Sequence, residues 1–283
     1  MKSRSRLIAA VLGSFGVLAG VSAVGAHETW LQPVNFVVDA PAPQIVRMTS
    51  GLGEHFPSPD SAIEPDRVTQ AGVWLGLLKY RLIRPVKTEH ELEFTWLPMR
   101  TGLAAIYVSL APKRLELPDS LIEPYFMEIG ASSELRKQWA DIPGPKRWRE
   151  SYEKHAKTYV RIGNDPLTPV KVGKDSVAPW RPQVGFPLEI VPESDPTQLR
   201  VGDTLWTHVI FKYIRQANFT IAIYRDSAGK AEYVNTGRTG RVAIPLTTAG
   251  NVLLAGVNLR RVREPGLEWR SDFTTMTFQV RPR

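Results

Sequence analysis

Thr274-Thr275-Met276-Thr277-Phe278-Gln279-Val280 has a strand's periodicity, with Met276, Phe278 and Val280 alternating with Thr275, Thr277 and Gln279. A period of two puts the apolar side chains on one face and the polar ones on the other. Working back from this segment, strand-like runs recur at Val252–Leu259, Val242–Pro245, Ala231–Val234, Phe219–Tyr224, Leu205–Tyr213 and Leu188–Val191. Arg225-Asp226-Ser227-Ala228-Gly229 supplies a turn between two of them. Seven short strands within residues 186–283 predict an immunoglobulin-like β-sandwich. With no cysteine in the chain, that reading rests on spacing and alternation.

Upstream, residues 164–185 are rich in Pro and Gly and read as a linker. Residues 27–163 read as a second β-rich, sandwich-like domain with strand-like runs at Val73–Leu78, Glu91–Trp96 and Ala104–Ser109. Within it, residues 119–160 change character. Ser120-Leu121-Ile122-Glu123 has capping-box spacing, Leu121, Ile122, Tyr125, Phe126 and Ile129 follow at helical intervals, and Gly130 is a natural stop. Trp148, Tyr152, His155, Ala156 and Tyr159 repeat the helical pattern. The fold class is therefore mainly β, with two or three short helices inserted in the first of two domains.

The first 26 residues read as a signal peptide. Lys2, Arg4 and Arg6 precede an apolar run from Leu7 to Val24, and Val24-Gly25-Ala26 suits signal peptidase. Cleavage there predicts a periplasmic or secreted product beginning at His27 and removes three of the eight net positive charges. The remaining basic excess is spread along the chain, and no nucleic-acid recognition motif accompanies it. No second apolar run is long enough to span a bilayer. The absence of cysteine excludes disulfides, thiolate metal sites and cysteine nucleophiles.

An N-terminal His offers an amine and an imidazole on one residue, a pair that chelates late first-row metals. A third imidazole would complete a T-shaped three-nitrogen set suited to Cu(II) or Ni(II). His55, in Gly51-Leu52-Gly53-Glu54-His55-Phe56-Pro57, and His155 are the candidates, with Glu54 as a weaker one. His90 lies in a charged turn and His208 alternates along a strand, so both read as structural. None of the histidines has the spacing of a zinc enzyme, and no nucleophile elbow or phosphate-binding loop is present. The expectation is one bound Ni, Co or Cu ion in a binding or delivery protein without turnover. A structural or interaction module of the envelope and a copper His-brace oxidative enzyme are the alternatives.

His27-Glu28-Thr29-Trp30-Leu31-Gln32-Pro33 resembles the His-x-x-Trp-Leu-x-Pro opening of the periplasmic family catalogued as domain of unknown function 4198. Gly53-Glu54-His55-Phe56, Leu115-Glu116-Leu117-Pro118, Arg149-Glu150-Ser151-Tyr152 and Ala156-Lys157-Thr158-Tyr159-Val160 resemble further blocks of it, in order. Lys212-Tyr213-Ile214-Arg215 and Met127-Glu128-Ile129-Gly130 depart from its pattern. The resemblance implies a periplasmic β-rich protein, some of whose relatives accompany nickel or cobalt uptake. It therefore implies a membrane cation transporter or another envelope protein as partner. His27 matches the motif directly, Glu54 and Lys157 more weakly.

Overall fold

The computed structural model describes residues 28–39, 42–51, 56–82, 85–164, 166–167, 169–172, 174–226, 228 and 230–283. The segment read as a signal peptide, His27, Glu54 and His55 lie outside these residues. The first half contributes β1 (Glu28–Pro33), β2 (Val37–Val38), β3 (Gln44–Gly51), β4 (Ser61–Ala62), β5 (Val68–Leu75), β6 (Leu78–Arg81), β7 (Val86–Lys87), β8 (Leu92–Trp96), β9 (Gly102–Leu117) and β10 (Trp148–Ile162). Helices α1 (Ile122–Glu128) and α2 (Ser133–Ala140) lie between the last two strands. A short hairpin, β11 (Val170–Val172) and β12 (Asp175–Val177), occupies the expected linker. The second half contributes β13 (Leu188–Pro192), β14 (Thr204–Phe211), β15 (Ile214–Arg215), β16 (Thr220–Arg225), β17 (Glu232–Asn235), β18 (Arg241–Pro245), β19 (Gly250–Glu264) and β20 (Leu267–Val280).

The chain is mainly β, and each half is a sandwich of the same design. In the second half β13-β14-β18 form one sheet and β17-β16-β19-β20 the other. In the first half β1-β3-β8 face β6-β5-β9-β10. First, second and fifth principal strands against third, fourth, sixth and seventh is an immunoglobulin-like partition, with the fourth strand moved to the other sheet from its place in a constant domain. The shared architecture, which the two sequences do not show, is plain from the pairing.

The halves are not separate beads. β10 and β20 pair in parallel, from Glu150 opposite Trp269 to Thr158 opposite Thr277. Among the described residues this merges the two larger sheets into one of nine strands, running β17-β16-β19-β20-β10-β9-β5-β6, with β2 beside β10. Adjacent residues of β9 then serve different cores. Leu103 and Ala105 pack with Leu188, Ile190, Leu205 and Val209 of the second half. Ala104, Ile106 and Val108 pack with Leu31, Val46, Met48 and Phe94 of the first. The two small sheets thus cover opposite faces of the large one, as expected for halves related by a two-fold axis along the strands. The boundary at residues 164–185 divides the sequence but not the sheet.

Two local expectations are corrected. The helical spacing from Trp148 to Tyr159 belongs to β10, a strand buried on both faces from Lys154 onward. Double burial removes the polar alternation that marks a half-exposed strand. Ser120 does not cap α1. It sits in a 3-10 turn over Asp119–Leu121, and α1 begins after Leu121 without a side-chain cap. Glu123, its expected partner, pairs instead with Arg136.

The helical insertion folds onto the long ends of β10 and β20 through Trp148. That indole stacks on Trp269 (centroids 4.8 Å apart, 13° between planes) and meets Tyr125, Phe126 and Trp139 edge-on. Gly130 ends α1 at φ +60°, where an added Cβ would lie 2.8 Å from Thr220 Cγ2 on β16. Gly130→Ala is expected to cost about 1–2 kcal/mol from left-handed strain, read as a lower denaturation midpoint at unchanged slope. A cost under about 0.5 kcal/mol would mean that insertion and sheet adjust freely there.

Candidate functional site

β1 lies across the β10–β20 seam. Thr275 Oγ1 donates to the Thr29 carbonyl at 2.6 Å, and Thr277 Oγ1 donates to the Leu31 carbonyl. These bonds satisfy edge carbonyls that burial would otherwise strand. Alternation along β1 sends Leu31 into the first-half core and Trp30 against Ala222, Tyr224, Leu253 and Ala255.

At its start, β1 carries the buried carboxyl of Glu28. Desolvation raises its pKa to about 8 against the attraction of Lys154, and Glu128 raises it further. Desolvation likewise lowers Lys154 to about 8, opposed chiefly by Glu28. The Lys154 ammonium sits over the rings of Phe273 and Tyr152, at 5.1 and 5.6 Å from their centroids. Burial, and then Glu28, pushes the Tyr224 phenol up. A carboxyl and an amine that would both ionise freely in water are held here against their charged forms. That is the electrostatic pattern of functional clefts, although structural networks share it.

The described neighbours of the two N-terminal candidates converge at the same place. Glu28, which follows His27, is the register partner of Gly51, where the chain leaves β3 toward His55. Phe56, which follows His55, packs edge-on against Trp30 with centroids 5.4 Å apart.

His155 does not join them. It shares a face of β10 with Lys157 and Tyr159, turned away from Lys154 and Glu28. Its Nδ1 is 3.0 Å from Ser109 Oγ, and its ring stacks on Phe186 at 4.9 Å. Burial lowers its pKa to about 4, against the pull of Asp272 and Glu189, so the ring is neutral at pH 7. His155 keeps different company on that face: one ligand atom each from Glu153, His155 and Asp272 lie within 4.8 Å of one another.

Lys157, matched through the family motif, makes a structural pair. Its ammonium is 2.7 Å from Glu189 Oε1, with both side chains fully buried. Glu189 also accepts from the amides of Val184 and Gly185 at 3.0 and 3.3 Å. His208 lies 3.0 Å from Glu193, and His90 is exposed beside Glu89. Local patterning missed Glu28, Lys154, Glu153 and Asp272. Charged residues inside strands were the available signal, but the misread period of β10 hid it for two of them.

Residues 24–258 match the family described as Domain of unknown function (DUF4198), and the chain belongs to that family. No curated protein matches it significantly. Among solved structures, the adhesin InvE of Yersinia pseudotuberculosis is similar at 14% identity and TM-score 0.19, over 88% of this chain and 58% of that one. The D0-D1 domain of intimin is similar at 9% identity and TM-score 0.21, over 89% of this chain and 97% of that one. The chain thus spans little more than half the length of the adhesin. At such scores the fold rests on the strand order above, not on these likenesses. No helix among the described residues is long and apolar enough to cross a membrane.

Proposed function

We propose that this DUF4198 protein is an exported metal-binding or metal-delivery protein that holds one late first-row ion at the start of β1. The amine and imidazole of His27 and the imidazole of His55 are the donors, in a set suited to Cu(II) or Ni(II). One observation supports the reading: Glu28, next to His27 in sequence, lies opposite Gly51, and Phe56, next to His55 in sequence, packs against Trp30 of the same strand. The buried Glu28 beside it supplies a carboxyl for the outer shell, where such groups orient ligands. Delivery implies an envelope partner, such as a cation transporter.

The test begins with the intact mass of the exported protein, which must start at His27. Calorimetric titration with Cu(II) and Ni(II) follows, on wild type and His27→Ala. Wild type is expected to hold an ion through His27 at micromolar affinity or tighter, and that binding should weaken at least about tenfold in the variant. Because the ligands must be deprotonated, affinity should also fall as the solution is acidified. Equal affinity in both proteins would remove the metal reading. It would favour an interaction module, for which Tyr213 and Ile214, exposed by 84% and 68% beside the tip of the β14–β15 hairpin, are the natural contact.

A further inference from the structure

We propose that Glu153, His155 and Asp272 form a second divalent-metal site, on the opposite face of the nine-stranded sheet from the start of β1. It is independent of the site proposed above, sharing no residue with it.

The backbone assembles the three donors. Glu153 and His155 are two apart on β10 and project to one side, while the parallel register sets Asp272 of β20 directly opposite Glu153. The β9–β10 register shifts between Tyr152 and Lys154, so the irregularity falls at Glu153 itself. Bulges of this kind re-aim a side chain beside functional sites. Donors fixed on adjacent strands are better positioned than donors on loops.

The state of the imidazole suits a cation as its partner. His155 is 5% exposed, and its Nε2 has no hydrogen-bond partner. Ser109 Oγ can accept Nδ1–H, and that tautomer is the one that would free Nε2 to ligate an ion. Nε2 then presents a buried lone pair 4.0 Å from Glu153 Oε2, and a cation between them would satisfy both. The same histidine orientation, with its other nitrogen bonded to an outer group, is the rule among metal ligands. Beside it on β20, Thr274 also has a buried Oγ1 without a hydrogen-bond partner. Arg260 pairs with Asp272 and balances one carboxylate, leaving the charge of Glu153 for the ion.

Distances and donor types narrow the ion. Tetrahedral coordination at ordinary zinc bond lengths sets donors about 3.4 Å apart. Glu153 Oε2 is 4.0 Å from His155 Nε2, a gap that a small rotation of a side chain 36% exposed can close. One nitrogen and two carboxylates suit Zn(II), Co(II), Ni(II) or Mn(II) rather than soft Cu(I) or an all-oxygen calcium cage. The exposed edge of Glu153 gives the ion its entry and leaves room for water as a further ligand.

The test uses the exported protein with His27 and His55 both changed to alanine, so that the first site is gone. Co(II) is titrated and its visible ligand-field bands are followed, with Zn(II) as competitor. One equivalent of Co(II), displaced by Zn(II), is expected. Glu153→Gln on that background should weaken it at least about tenfold, and His155→Gln should abolish it. No Co(II) uptake by the background protein, or equal affinity after Glu153→Gln, overturns the proposal. If His155→Gln does not fold, Glu153→Gln at the rim decides. Failure of the His27 site alone leaves wild type with this single ion, so the two proposals fail separately.

Discussion

Lys157→Met is expected to lower stability by about 3–5 kcal/mol, the usual cost of breaking a buried ion pair from one side. The substitution keeps the volume and removes the charge, leaving Glu189 fully buried with the amides of Val184 and Gly185 as its remaining donors among the described residues. The pair joins β10 of the first half to β13 of the second, so the loss falls on the junction between the two sandwiches. Burial, the largest single influence, depresses the Lys157 ammonium, but Glu189 and Tyr159 together outweigh it and raise its pKa. A raised lysine contributes stability that is complete below its unfolded value and is lost as pH rises through the folded one. The wild-type advantage should therefore persist at neutral pH and disappear only in strong alkali. Urea unfolding at pH 7 measures it: a lower midpoint with unchanged slope is expected. A loss under about 1 kcal/mol would show that the junction does not depend on this pair.

Much of this architecture was legible in local pattern, and the part that was not has a common cause. The second sandwich could be read because Met276, Phe278 and Val280 turn inward while Gln279 stays exposed. β10 could not. Ala156, Val160 and Ile162 enter one core and Tyr159 the other, so apolar residues recur at intervals that imitate a helix. The duplication was hidden because equivalent strands carry different chemistry: charged residues at 154, 157 and 161 on β10, threonines at 274, 275 and 277 on β20. The candidate clusters were less legible still. Asp272 meets Glu153 through a parallel pairing whose partners, such as Thr158 and Thr277, lie 119 residues apart. Side-chain period fixes which face a residue takes, but not which distant strand lies beside it. His27 stood out by its position alone, and the structure adds the buried Glu28 and Lys154 that its motif did not advertise.

That second buried acid–base pair should respond in the opposite sense to Lys157 and Glu189. The double variant Glu28→Gln/Lys154→Met is expected to be more stable than wild type near pH 8, by about 1–4 kcal/mol. For Glu28 and Lys154 desolvation exceeds mutual attraction, and each is displaced toward its neutral form, to about 8. The sign follows from proton counts. A raised carboxyl gives stability that is complete below about pH 4.5 and declines as pH rises to 8, because the folded state holds a proton that the unfolded state has lost. A lowered lysine gives stability that is complete above about pH 10.5 and declines as pH falls to 8. The two penalties meet near pH 8. The advantage of the double variant should therefore peak there and shrink on either side, a profile that a merely better-packed variant would not produce. Unfolding midpoints of both proteins from pH 5 to 10 test it, and a variant less stable than wild type at pH 8 refutes it. A pair kept at a cost to stability is the signature of a site retained for use. If Glu28 serves the ion at the start of β1, the same variant should gain stability and lose Cu(II) or Ni(II) affinity together.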